Sequence, residues 1–214
     1  MPESISTVLL VDDHPLLRKG VSQLLELEND IEVIGEAANG EDAVQRATAL
    51  DPDLILLDLS MKGMDGIDTL VALRDAGVDS RIVVFTVSDD RSDVVSALKS
   101  GADGYLLKDT EPDELVDRIR QACAGKMVLS GQLTEIMALS FRDQDRQQGP
   151  DLGTLTRREL QILKYIAEGL SNKLIGRKLD IAESTVKVHV KHLLKKLGFR
   201  SRVEAAIWMV EQHK

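Results

Sequence analysis

The sequence predicts two units: an α/β domain on a doubly wound, five-stranded parallel sheet, then an all-α domain of four helices containing a helix-turn-helix. Three observations carry this. Short apolar runs alternate with helix-spaced segments five times between residues 7 and 124, the pattern of parallel strands joined by helical crossovers. From residue 152 onward the periodicity is helical throughout. The charge divides in the same way: from Pro150 on, 13 Lys or Arg stand against 7 Asp or Glu, net +6, whereas residues 1–149 hold 14 against 29, net −15. A split of this kind within one chain indicates domains with different partners, the basic one suited to a polyanion.

The elements follow in order. Thr7-Val-Leu-Leu-Val11 is a short apolar strand ending in Asp12-Asp13, and Leu16, Leu17, Val21, Leu24 and Leu25 set a helix from about His14. Ile31–Ala37 reads as a strand, Gly40–Leu50 as a helix, Asp53–Asp58 as a strand and Ile67–Asp75 as a helix. The third strand is the plainest. Leu54-Ile-Leu-Leu57 is apolar at every position, as in a strand buried on both faces, and it runs into Asp58 before Gly63 and Gly66 open a loop. Capping of the next helix falls to Asp65-Gly66, so Asp58 is left at the sheet's C-terminal edge, where open α/β sheets bind ligands. Arg81–Thr86 and Gly104–Lys108 are the fourth and fifth strands, with a helix over Asp90–Ser100 between them. A helix over Pro112–Ala124 closes a domain of residues 1–125, its proline tolerated in the first turn.

Residues 126–151 read as a linker, with one helix by spacing over Leu133–Phe141 and then a polar stretch ending in Gly-Pro. In the last domain, 152–214, Thr156-Arg-Arg-Glu159 is a capping box flanked by Leu155 and Leu160, so a helix starts at Arg157 and ends before Gly169. Ser171 caps a second helix carrying Leu174, Ile175 and Leu179. After a turn at residues 180–182 a third runs from Glu183 to Leu197, stopped by Gly198, and Ser201-Arg-Val-Glu204 is a second capping box starting the fourth. Two short helices joined by a tight turn are a helix-turn-helix.

Composition excludes several classes. No apolar run approaches the roughly 18 residues of a membrane span, and the N-terminus lacks the basic and apolar regions of a secretory signal, so a cytoplasmic protein without membrane partners is expected. A single cysteine, Cys123, allows no internal disulfide and no zinc site, and its apolar helical setting reads as a small buried hydrophobe.

Because the strands are parallel, Asp12, Asp13, Asp58, Thr86 and Lys108 meet at one edge. Carboxylates crowded in this way repel and are driven toward protonation unless cations intervene. The Lys108 ammonium and a bound Mg2+, which takes oxygen ligands in an octahedral shell, would keep them ionised and leave Asp58 free as a nucleophile for phosphoryl transfer. His14, next to the acidic pair, reads as a first-turn helix residue rather than a metal ligand or acid–base group.

Asp12-Asp13, Asp58, Thr86, Tyr105 and Lys108 at these spacings resemble the flavodoxin-like receiver domain of two-component response regulators, over residues 7–124. The resemblance implies that Asp58 accepts a phosphoryl group from a sensor histidine kinase. It further implies that Asp13, Asp58 and the Ser60 carbonyl bind Mg2+ with Asp12 assisting, and that Thr86 and Tyr105 rearrange on phosphorylation. Lys62 and Asp109 stand where the family usually has proline; neither change removes a reacting group.

In the third C-terminal helix, Val186, Val190, Leu193 and Leu197 share one face and Lys187, Lys191 and Lys195 another, with Val188 beside the lysines and no acid at i+4. Such a helix suits the major groove, lysine donating to guanine and valine meeting the thymine methyl. Lys173, Arg177 and Lys178 on the preceding helix suit phosphates. Residues 152–212 resemble the LuxR-type helix-turn-helix, and Val-Asp-Asp-His-Pro, Gly-Ala-Asp-Gly-Tyr-Leu-Leu-Lys-Asp and Ser-Thr-Val-Lys-Val-His-Val-Lys-His resemble the nitrate/nitrite branch of the NarL/FixJ class. That implies base contacts from Lys187, Val188 and Lys191, double-stranded DNA as partner, and a homodimer through the last helix. Ala182 departs from the usual capping Thr or Ser, at roughly 0.5–2 kcal/mol of local helix stability. In the last helix Val203, Ala206, Ile207 and Val210 read as the inward face, leaving Trp208 and Met209 for a dimer contact unless Trp208 folds against its own domain.

The expected function is a transcription regulator switched by phosphorylation of Asp58, not a turnover enzyme. An aspartate-nucleophile phosphatase would want a carboxylate two residues after Asp58, where Ser60 stands, and a phosphorylation-independent DNA-binding protein would show a broken acidic cluster, whereas this one is intact.

Overall fold

The computed structural model describes residues 5–129, 152–199 and 202–211; the expected linker helix and the Ser201 cap lie outside them. The first domain runs β1 (Ser6–Val11), α1 (Pro15–Leu25), β2 (Ile31–Ala37), α2 (Gly40–Leu50), β3 (Leu54–Leu57), α3 (Gly66–Asp75), β4 (Arg81–Thr86), α4 (Arg91–Ser100), β5 (Gly104–Leu107), α5 (Pro112–Cys123) and β6 (Val128–Leu129). The sheet order is β2-β1-β3-β4-β5-β6 and every pairing is parallel. The sheet thus has six strands where the sequence predicts five. The sixth is only two residues pairing with Gly104 and Tyr105, too short for alternation to register, and it lies in the stretch read as linker.

Alternation along the central strands divides the core. Leu9, Val11, Ile55, Leu57, Ile82 and Val84 face α2, α3 and α4, while Val8, Leu10, Leu54, Leu56, Val83 and Phe85 face α1 and α5. Both faces are covered, which is why β3 and β4 are buried at every position. Each such side chain contributes about 1.5–3 kcal/mol of transfer free energy. Strand order reverses at β1, with β2 on one side and β3 on the other, so the crevice opens beyond the C-terminal ends of β1 and β3. Asp65 caps α3 as expected, accepting from the Asp68 N–H at 2.8 Å.

The second domain packs α6 (Arg157–Ala167), α7 (Asn172–Leu179), α8 (Glu183–Leu197) and α9 (Arg202–Glu211) around Ile162, Ile166, Ile175, Val186, Leu193 and Ala205. The capping box at α6 is complete. Glu159 also accepts from Lys196 Nζ at 2.7 Å, which ties the end of α8 to the start of α6. Burial opposes the Glu159 charge, but Lys196 and the Thr156 donors outweigh it and hold the carboxyl down at about 2. At the α7–α8 turn Gly176 is required: a Cβ there would lie 2.7 Å from the Ile181 carbonyl oxygen. Ala182 makes no side-chain cap, as its identity predicts.

The face assigned to α9 is corrected. Met209 is buried beside Ala205, one turn away, whereas Val210 is 48% exposed. Trp208 packs against Phe199 of its own domain, ring centroids 5.6 Å apart. With most positions of this helix apolar, its sequence fixes the period but not the phase.

Candidate functional site

At the crevice, the Asp58 N–H donates to the Val11 carbonyl at 2.9 Å, which holds its carboxyl at the mouth of the β1–β3 pair. Asp58 is 1% exposed and Asp12 6%. Lys108 arrives from the end of β5, its N–H bonded to the Thr86 carbonyl at 2.8 Å, and places Nζ 2.8 Å from both Asp12 Oδ2 and Asp58 Oδ2. The Ser60 N–H donates to Asp58 Oδ1 at 3.2 Å and the Lys62 N–H to Asp13 Oδ2 at 3.3 Å. Gly66 closes the loop so tightly that a Cβ would stand 2.4 Å from the Asp58 carbonyl oxygen.

Two buried carboxylate oxygens, Asp13 Oδ1 and Asp58 Oδ2, have no hydrogen-bond donor; the lysine supplies charge to Asp58 without hydrogen-bond geometry. Ligand atoms of Asp12, Asp13, His14 and Asp58 lie within 4.8 Å of one another. Oxygens so placed fit a small divalent cation. His14 holds the N-cap position of α1, but its ring also reaches the cluster, Nδ1 lying 2.9 Å from Asp13 Oδ1 and 3.3 Å from Asp12 Oδ1. The sequence reading assigned it no such contact.

Thr86 and Tyr105 are both fully buried. The Tyr105 hydroxyl donates to the Ser88 carbonyl at 2.9 Å, and the Thr86 hydroxyl accepts from the Ser88 N–H at 3.4 Å, so the loop after β4 joins them through a residue the sequence did not single out. Burial pushes the phenol up to about 12, so it stays a donor at neutral pH.

In the helical domain α8 buries Val186, Val190, Leu193 and Leu197 and turns Lys187, Val188, Lys191 and Lys195 away from that core, with Val188 53% exposed. On α7, Arg177 is exposed and the exposed Lys178 lies over the Tyr165 ring at 5.2 Å.

The response regulator receiver domain family matches residues 8–120, and the luxR family of bacterial regulatory proteins matches residues 153–209. The chain belongs to the two-component response regulators. Among its relatives, the nitrate/nitrite response regulator NarL of Escherichia coli K12 is 57% identical over 97% of this chain and 96% of its own, and NarP of the same organism 49% identical over 99% and 98%. A crystal structure of the response regulator ChrA from a heme-sensing two-component system is 33% identical, covers 99% of this chain and 98% of its own, and has a TM-score of 0.52. The receiver domain of a putative NarL from Mycobacterium tuberculosis covers 57% of this chain at 36% identity and a TM-score of 0.55.

The response regulator's two domains meet on the lysine face. Lys187 Nζ lies 3.6 Å from Asp51 Oδ2 at the end of α2. Lys191 sits beside Gly77 and faces Asp79, whose carboxyl is raised above the usual range by burial, with Lys191 opposing the shift. The receiver therefore sets carboxylates against the lysine face of α8. Asp51 and Asp79 carry no local sequence signal for this role, because domain docking creates the contact. No helix of the described residues is long and apolar enough to cross a membrane.

Proposed function

We propose that this response regulator accepts a phosphoryl group on Asp58 from a sensor histidine kinase and, once phosphorylated, binds double-stranded DNA through α8 to control nitrate- or nitrite-responsive genes. The observation that carries the reading is the convergence of Asp12, Asp58 and Lys108 around buried oxygens that lack donors. The stimulus rests on the 57% and 49% identical nitrate/nitrite regulators. The reading is of a cytoplasmic regulator that turns over no external substrate.

Asp13, Asp58 and the Ser60 carbonyl, with Asp12 assisting, would hold Mg2+, which neutralises charge on the transferring phosphoryl oxygens when bound. Asp58 attacks phosphorus, its P–O bond forming as the P–N bond to the kinase histidine breaks. Lys108 follows the charge, since its ammonium already bridges Asp12 and Asp58. Leu16, 90% exposed on the first turn of α1 beside this mouth, offers the kinase an apolar contact.

Without the phosphoryl group, the receiver covers the helix that reads DNA, because Lys187 and Lys191 face Asp51 and Asp79. The added charge, about −1.5 to −2, would by itself tighten such a complex. Release therefore comes from Thr86 and Tyr105 rearranging through Ser88. Once free, Lys187, Val188 and Lys191 meet base edges, while Lys173 and Lys195 meet phosphates. The homodimer on DNA belongs to α9, with the exposed Val210 available to it, Trp208 half-buried against Phe199 and Met209 committed to the core. Domain limits of 1–125 and 152–214 serve this reading, with β6 placing the receiver's last strand just beyond the first limit. The test is a footprint on the protein's own genomic DNA with and without phosphodonor and Mg2+: protection that strengthens on phosphorylation supports the reading, and protection indifferent to it removes the switch.

A further inference from the structure

The seam between the two domains forms a half-open cavity of about 450 Å³, lined by Ser80, Arg81 and the carboxylates Asp79 and Asp103 from the receiver and by Asn172 and Arg202 from the DNA-binding domain. Its polar groups do not balance. Arg81 is only 8% exposed, its side chain donates to no described residue, and its Nη2 is buried without a partner. Ser80 Oγ is a second buried atom in that condition. The neighbouring carboxylate, Asp103, is already engaged: its Oδ2 accepts from Arg74 Nη2 at 2.7 Å and from the Ile82 N–H at 3.0 Å.

Arg202 brings a second guanidinium from α9. It donates to Asn172 Oδ1 at 3.2 Å and to the Leu170 carbonyl, both neutral, and no described carboxylate lies within ion-pair distance. Burial and then the positive charge of Arg81 push it down to about 9, with Asp103 opposing the shift. Of the three lysines that line the cavity, Lys187 is answered by Asp51 and Lys191 by Asp79, while Lys195 adds a further positive charge. Closing the seam thus brings two guanidiniums beside a single carboxylate, Asp103, that Arg74 already holds, which is costly unless an anion joins them.

We propose that this seam binds a phosphate group, held by Arg81 from the receiver and Arg202 from the DNA-binding domain with Ser80 Oγ assisting, and that the bound group pins the two domains together. Guanidinium forks match phosphate oxygens in pairs, and two of them match a dianion. The cavity is larger than orthophosphate, and Phe199, Val190 and Leu194 give it an apolar wall. The group can therefore be free or carried on a small organic molecule such as a mononucleotide. The site lies at the N-terminal edge of the sheet, opposite Asp58, and rests on the domain arrangement but not on the phosphotransfer reading.

The test is calorimetric titration of unphosphorylated full-length protein, with EDTA present to keep phosphate out of the acidic crevice, using inorganic phosphate, AMP and chloride at matched ionic strength. Saturable binding of phosphate identifies the free ion as sufficient, and binding of AMP alone identifies a carried phosphate; chloride binds in neither case. Arg81→Gln and Arg202→Gln each abolish it, Arg81→Lys weakens it, and Arg118→Ala on α5 leaves it intact, with circular dichroism confirming the fold of each. If Arg81→Gln fails to fold, Arg202→Gln alone decides. No saturable binding beyond chloride, or binding that survives Arg202→Gln, overturns the site. Because a ligand specific to the closed form competes with opening, ligand at ten times its Kd lowers operator affinity about tenfold; an unchanged affinity contradicts the pinning.

Discussion

Asp58 is legible in the sequence because a run of residues buried on both faces stops at a carboxylate, and Asp65 takes the capping role that would otherwise explain it. Its partners Asp12 and Lys108 were legible for the same reason, and the structure places Lys108 Nζ 2.8 Å from both carboxylates. Ser88 and the His14 ring are not, since a loop serine and a histidine at a helix start carry no pattern of their own. Asp58→Asn keeps the size and the Val11 contact but loses the nucleophile; acid-labile label from acetyl phosphate with Mg2+ should vanish while the far-ultraviolet dichroism is unchanged, and undiminished label would remove Asp58 from its role. At Glu159 the prediction concerns pH. Its folded pKa is depressed to about 2 from the ordinary 4.5, so its contribution is present above about 4.5 and is lost as pH falls toward 2. Glu159→Gln should cost about 1.5–3 kcal/mol at neutral pH. Urea melts should show that difference shrinking below pH 4.5 or so; a constant gap would mean the carboxylate is not what holds α6 to α8.

Among the elements, those with a clear period or a run ended by a polar residue are legible, down to the four residues of β3, while a two-residue strand and the inward face of a mostly apolar helix are not. The capping box of α6 and the lysine face of α8 follow from three- and four-residue spacings. The two residues of β6 show no period, and α9 is too uniformly apolar for its inward face to be read, which is how Met209 came to be expected outside. Two predictions belong to α8. In phosphorylated protein, Lys187→Ala should weaken operator binding by about 1–3 kcal/mol and relax base preference, whereas Lys173→Ala should weaken all sequences alike and reduce the salt slope. Identical effects of the two across sequences would take α8 out of the groove. Ala182→Ser restores the absent cap and should raise stability by about 0.5–2 kcal/mol in chemical denaturation; no gain would mean that the turn already satisfies the first helical N–H groups.

At the scale of the whole molecule, the division of charge announced two domains with opposite tendencies, and the seam realises it through Asp51 and Asp79 against Lys187 and Lys191. What the sequence could not give is the edge on which the domains dock, because that depends on surfaces assembled only after both have folded. The docking edge is the far end of the sheet from Asp58. Strand β4 spans the gap, with Thr86 at the crevice and Arg81 at the seam, five residue steps or roughly 17 Å apart. A single half-exposed pair such as Lys187–Asp51 contributes only about 0–1 kcal/mol, so closure rests on several contacts and is poised to be undone. If only about 1% of the protein is open, DNA affinity falls about 100-fold, since DNA sees the competent fraction alone. The most direct test of this account is the affinity of the fragment from Pro150 to Lys214, which has its own core, for an operator, beside that of unphosphorylated and phosphorylated full-length protein at one salt concentration with dimerisation checked. Occlusion predicts that the fragment and the phosphorylated protein both bind more tightly than the unphosphorylated chain; a fragment that binds no better than the unphosphorylated chain would mean that the receiver activates by bringing chains together and not by uncovering α8.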